Sequence, residues 1–140
     1  MAKIRHIAIA TQDPEATARF YTEVFGLREI ATINRPYAVG RVLTDGHLNV
    51  AVLRFTSDQV AGAEYGAGFT GLHHIGFHVE SLEQAELDLE AAGRKPRTDI
   101  DEARNAGKSK APGDKYELKY DAPDGVLIDI SETGWPVVGD

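Results

Sequence analysis

The chain has 140 residues, a length that suits one domain, since domains most often hold about 100–150 residues. Its formal net charge is −7 and its apolar content 42%; a surface of that sign repels phosphate backbones and anionic lipid, so neither nucleic acid nor membrane is expected as a partner. Cysteine is absent, which excludes disulfides and thiolate metal sites and leaves His, Asp, Glu and Tyr to carry any chemistry.

The first residues run straight into a strand pattern, Arg5-His6-Ile7-Ala8-Ile9-Ala10, without the long apolar centre of a signal peptide. No stretch reaches the ~20 apolar residues of a membrane span. A cytoplasmic location is therefore expected. Asp13-Pro14 reads as an N-cap followed by proline at the first helical position. Ala16, Phe20, Val24 and Leu27 follow near helical spacing, and Gly26 marks the helix end. Phe20, Tyr21, Val24 and Phe25 are expected to pack between this helix and a sheet. Strands follow at about 28–33, 37–44 and 47–55, with turns at Asn34-Arg35-Pro36 and Asp45-Gly46. A Gly- and Ala-rich segment, Ala61–Thr70, then leads to a second strand beginning His73-His74-Ile75-Gly76-Phe77-His78. Ser81-Leu82-Glu83-Gln84 is a capping box, and Leu82, Ala85, Leu89 and Ala92 carry the helix to Gly93. Strands are expected at about 94–98, 115–121 and 126–131, with a turn at Pro123-Asp124-Gly125. Between them lies Thr98–Asp114, polar and long, read as a surface loop or a lid.

The order repeats: a strand carrying His, a capped helix starting seven residues later, then three strands with an Asp-Gly turn. The expected fold is α+β. Two tandem βαβββ modules occupy about 4–56 and 72–132, with a linker over about 57–71 and a short C-terminal tail. This plan resembles the vicinal oxygen chelate superfamily of glyoxalases, bleomycin-resistance proteins and dioxygenases. Phe20-Tyr21 followed by Phe25-Gly26-Leu27, the run Gly71-Leu72-His73-His74-Ile75, and Ala122-Pro123-Asp124-Gly125 before an apolar strand carry the resemblance. It implies an open, cup-shaped mixed sheet with flanking helices.

The resemblance also implies one divalent metal ion (Zn, Ni, Co, Mn or Fe) held by His6 and His74 on the first strands and Asp129 on the last. Neutral imidazole with carboxylate suits these metals, and three protein ligands leave positions open for substrate. A bare carboxylate inside the run Val126-Leu127-Ile128-Asp129-Ile130 must be paired, coordinated or wet. Two departures stand out. Asp replaces the usual Glu at position 129, and the equivalent strand of the first half offers only His47 or Asn49. His47, Asn49 and His78 are the candidate catalytic residues. His73 is expected to point away from His74 by strand alternation. Tyr37, Arg41, Arg54, Tyr116, Lys119 and Tyr120 are candidates for a polar pocket wall.

Three functions fit. The first is an isomerase, epimerase or lyase of glyoxalase I or methylmalonyl-CoA epimerase type, acting on a small oxygenated substrate through a metal-stabilised enediolate. The second is an extradiol-type dioxygenase with a His-His-carboxylate iron site, against which Lys119 stands in the expected Tyr slot with Tyr120 one place on. The third is a non-enzymatic drug-binding resistance protein. The family also implies a homodimer.

Overall fold

A computed structural model describes residues 1–104 and 117–138. Seven strands form one open mixed sheet: β1 (Lys3–Ala10), β2 (Arg28–Arg35), β3 (Ala38–Thr44), β4 (Asn49–Phe55), β5 (Gly71–His78), β6 (Leu118–Asp121) and β7 (Leu127–Ser131). Their spatial order is β2-β3-β4-β1-β5-β7-β6. Within each half the histidine strand pairs in parallel with the last strand, β1 with β4 and β5 with β7. The halves join through antiparallel β1 and β5. The fold is α+β, as the sequence predicts.

Helices α1 (Pro14–Phe25) and α3 (Leu82–Ala91) start where their caps dictate. Asp13 accepts from the backbone N–H of Ala16, and Ser81 from that of Gln84, contacts each worth about 0.5–2 kcal/mol. Gly26 ends α1 in the left-handed region at φ 73°, which its missing Cβ permits. Both helices cover one face of the sheet. Ala18 and Tyr21 of α1 pack with Leu43, Val50 and Val52, while Leu82, Ala85 and Leu89 of α3 pack with Tyr120, Ile128 and Ile130. The opposite face carries a third cluster of Ala8, Ala10, Ala51, Leu53 and Phe55, reached by Val60 and Ala61 of the short helix α2 (Asp58–Ala61). β4, packed on both faces, is buried at six of its seven residues.

Four expectations change. Phe20, Val24 and Phe25 are 50–66% exposed, because α1 turns Ala18 and Tyr21 toward the sheet instead. The expected strand at 94–98 contributes only an isolated bridge between Pro96 and Tyr120; proline has no N–H for a ladder. The first part of the expected loop is helix α4 (Thr98–Arg104), with Ile100 fully buried; residues 105–114 of that loop, and Tyr116, lie outside the described residues. The expected linker contains α2.

Candidate metal centre and pocket

One row of residues crosses the sheet on the face away from α1 and α3. The register aligns Thr44, Asn49, His6, Gly76, Asp129 and Lys119 on β3, β4, β1, β5, β7 and β6 in turn. Gly76 leaves the gap in the middle of the row. A Cβ there would lie 2.8 Å from His6 Cβ and 2.7 Å from the Trp135 ring.

His6 and His74 each follow a β-bulge. In the β1–β5 ladder Ile4 faces Phe77 and His6 faces Gly76, so Arg5 is the extra residue. Ala8 faces His74 and Ile9 faces Leu72, so His73 is the extra residue on β5. A bulge re-aims the side chains beside it, which is why alternation fails for His73. Its ring does not simply turn away: Nδ1 lies 2.7 Å from Nδ1 of His74. It packs among Phe55, Tyr65 and Phe69.

The hydrogen-bond chains fix both tautomers. The Ala61 carbonyl lies 2.7 Å from His73 Nε2. A carbonyl can only accept, so that nitrogen carries the proton. In the neutral ring His73 Nδ1 is then the acceptor, His74 Nδ1 is the donor, and His74 Nε2 is a bare lone pair. The Pro136 carbonyl accepts from Asn49 Nδ2 at 2.7 Å, which turns Asn49 Oδ1 to His6 Nδ1 at 2.8 Å. His6 Nδ1 therefore donates, and His6 Nε2 is bare as well. Burial keeps the rings neutral: it lowers the pKa of His73 to about 4 and that of His74 to about 3, and it lowers that of His6.

The two bare Nε2 atoms lie 3.2 Å apart, and His74 Nε2 lies 3.0 Å from Asp129 Oδ2. The three candidate ligand atoms fall within 4.8 Å of one another. Asp129 is fully buried, and neither carboxylate oxygen has a hydrogen bond of good geometry among the described residues. Burial pushes its carboxyl up, but Lys119, with Nζ 2.8 Å from Oδ1, outweighs it and holds the group well below the usual range. Three electron-rich atoms facing one gap are mutually repulsive, so the residues fit a cation.

A pocket of about 290 Å³ opens beside the trio. Val42, Ala51, Leu53 and Phe55 give it an apolar wall, and Glu117, Lys119 and Arg104 a charged one. Glu117 Oε1 takes the Trp135 indole N–H at 3.1 Å and lies 3.2 Å from Arg104 Nη2. Arg104 also sits over the Tyr37 ring at 4.8 Å. Trp135 folds back from the C-terminal tail and stacks on His6, with centroids 4.8 Å apart and planes 6° apart.

His6, His74 and Asp129 are thus brought together. Asn49 touches the site through His6 Nδ1. His47 and His78 are not in the pocket: they line a separate space of about 350 Å³ with Arg5 and Val137, on the other side of the Gly134-Trp135 stretch. His78 Nε2 is bound to the Glu132 carbonyl at 2.7 Å. Tyr120 faces α3 and donates to Glu86, so Lys119 alone of that pair reaches the pocket. Tyr37 lines it, whereas Arg41 and Arg54 do not. Sequence reasoning missed Glu117, Trp135 and Arg104. Glu117 precedes Lys119 by two residues, a strand period that could have flagged it once Lys119 was placed.

Residues 3–130 match the family model described as Glyoxalase/Bleomycin resistance protein/Dioxygenase superfamily. No curated protein matches. Among solved structures, a hypothetical protein from Bacillus halodurans aligns with TM-score 0.71 at 19% identity, covering 93% of each chain. A methylmalonyl-CoA epimerase in complex with methylmalonyl-CoA and ammonium aligns with TM-score 0.67 at 20% identity, over 100% of this chain and 99% of that one. The Mycobacterium tuberculosis methylmalonyl-CoA epimerase gives 0.65 at 15% identity, over 95% and 88%. No helix among the described residues is long and apolar enough to cross a membrane.

Proposed function

Because the chain belongs to the glyoxalase/bleomycin resistance protein/dioxygenase superfamily, we propose that it is a divalent-metal-dependent enzyme that moves a proton at a carbon beside a carbonyl. The substrate is a small oxygenated molecule and the reaction an isomerisation, epimerisation or lyase step. One observation carries the reading: two imidazole lone pairs and a buried carboxylate converge on one gap with no proton between them. The solved methylmalonyl-CoA epimerases of like fold support the isomerase side of it.

His6, His74 and Asp129 would hold the ion, and when bound it supplies Lewis-acid polarisation of a substrate carbonyl. The remaining work falls to the chain's own side chains. Val42, Ala51, Leu53 and Phe55 keep water from the substrate's carbon frame. Among the described residues Glu117 is the pocket carboxylate outside the trio, and it takes the proton from the substrate carbon. Arg104 and the Trp135 N–H aim its oxygen. Asn49 and His73 act as positioning residues that hold both ligand rings in the metal-binding tautomer. The proposal extends to a cytoplasmic homodimer; a monomer mass at micromolar concentration would count against the dimer.

The test is proton exchange in deuterated water over a panel of 2-oxo thiohemiacetals, acyl-CoA epimers and catechols, with an oxygen electrode running. Exchange supported by Zn, Ni or Co, and lost in Glu117→Gln while metal content is kept, is the expected result. Oxygen uptake coupled to catechol ring cleavage would overturn the reading.

A further inference from the structure

The metal reading leaves one buried charge without a role. Lys119 lies opposite Asp129 in the β6–β7 ladder, and its Nζ is 2.8 Å from Oδ1. The lysine is 2% exposed and the carboxylate 0%. Neighbouring acids are engaged elsewhere. Asp101 accepts the backbone N–H of Lys119, and Glu117 meets Arg104 and Trp135. Among the described residues, Asp129 is the one acid within ion-pair distance of this ammonium.

We propose that Lys119 is a built-in competitor for the metal ion: its ammonium holds Asp129 in the metal-free protein and gives up the carboxylate when the ion binds. The inference rests on the metal reading above. Its basis is charge. Both histidines are neutral, so Asp129 is the trio's single negative group. A divalent ion on the trio already leaves one net positive charge. Keeping the ammonium beside it would bury two, in a setting where like charges repel far more than in water. Lys119 has somewhere to go, because it lines the 290 Å³ pocket as well as touching Asp129. A four-carbon stem lets the ammonium swing from the carboxylate into that space. Metal affinity is thus set by Lys119 as well as by the ligands. Ion loading also delivers a positive charge to the substrate pocket.

The test compares wild type with Lys119→Met and Lys119→Gln. Zn(II) and Co(II) dissociation constants are measured by competition with a chromophoric chelator. The variants are expected to bind at least about tenfold tighter. Equal or weaker binding by a folded variant overturns the inference. A second measurement needs no substitution. A short acetylation pulse on wild type, read by peptide mass spectrometry, should label Lys119 severalfold more with saturating Zn(II) than without, with Lys3 and Lys95 as exposed references. Labelling that does not rise with Zn(II) also overturns it. The two readings fail differently. If wild type binds one ion that His74→Ala loses, and Lys119→Met binds no tighter, only the competitor falls. If no form binds an ion, the metal reading falls and takes the competitor with it.

Discussion

In the first half of the sheet the strand beside the histidine brings Asn49 to the cross-sheet row; in the second half it brings Asp129. The outer strands differ in the same sense, Thr44 against Lys119. One half is therefore uncharged along the row and the other carries a buried ion pair. Asn49 uses both ends of its amide, one on His6 and one on the Pro136 carbonyl, so it orients the His6 ring. Among the described residues Asp129 has no hydrogen bond of good geometry, so its lone pairs are available to an ion. A duplicated scaffold here supplies equivalent positions and lets charge decide which of them is open to a cation.

That contrast can be broken most forcefully at Asp129. Asp129→Ala is expected to take bound metal from about one ion per chain to none, by elemental analysis of protein purified without chelator. It should also cost about 1.5–3 kcal/mol in denaturant unfolding, because Lys119 loses its charged partner and turns to the pocket. Asn49→Ala should keep the stoichiometry and weaken affinity about 10–100-fold, the usual cost of losing a ligand's hydrogen-bond partner. If it abolished binding as Asp129→Ala does, the two halves would be equivalent after all.

Acid provides a smaller effect. His73 and His74 titrate near 6.5 in the unfolded chain but at about 4 and about 3 in the fold. Between these values the unfolded state binds more protons, so stability is full above pH 6.5 and falls as pH drops. Asp101, raised by burial to about 6, acts in the opposite sense over its own window. The net loss for metal-free protein is on the order of 1–2 kcal/mol per pH unit below about pH 6, measurable by urea unfolding. A flat profile would mean that the histidines are charged in the fold. The smallest effect is expected at His47 and His78, whose replacement by Ala should leave metal affinity within about twofold, since neither lines the pocket of the trio.

The pairing of His6 with His74 was legible because strand, cap and turn recur in order, which needs no contact information; Asp129 joined them only through the family resemblance. The bulges were not legible. Nothing in Arg5-His6 or His73-His74 announces an extra residue, and the shift exists only once β1 and β5 pair across 68 positions of chain. The role of Asn49 stayed hidden for a similar reason, since its second partner is the carbonyl of Pro136, 87 residues away. Trp135 required the tail to fold back, which no local pattern encodes. The strand expected at 94–98 failed on a signal the sequence did contain, Pro96 in its centre. The exposed face of α1 shows the limit of periodicity: the spacing of Phe20 and Val24 announces a stripe, but the sheet takes Ala18 and Tyr21.

Trp135 is the only tryptophan in the chain, and its ring lies flat against the imidazole of His6. Emission excited selectively from tryptophan thus originates from one indole in contact with the His6 ring. Cobalt or nickel at the trio, with unpaired d electrons, should darken that emission, whereas closed-shell zinc should shift it without extinguishing it. An occupant of the pocket that breaks the indole's bond to Glu117 should change its colour again. The molecule carries its own optical gauge, read without a label and before any substrate is known.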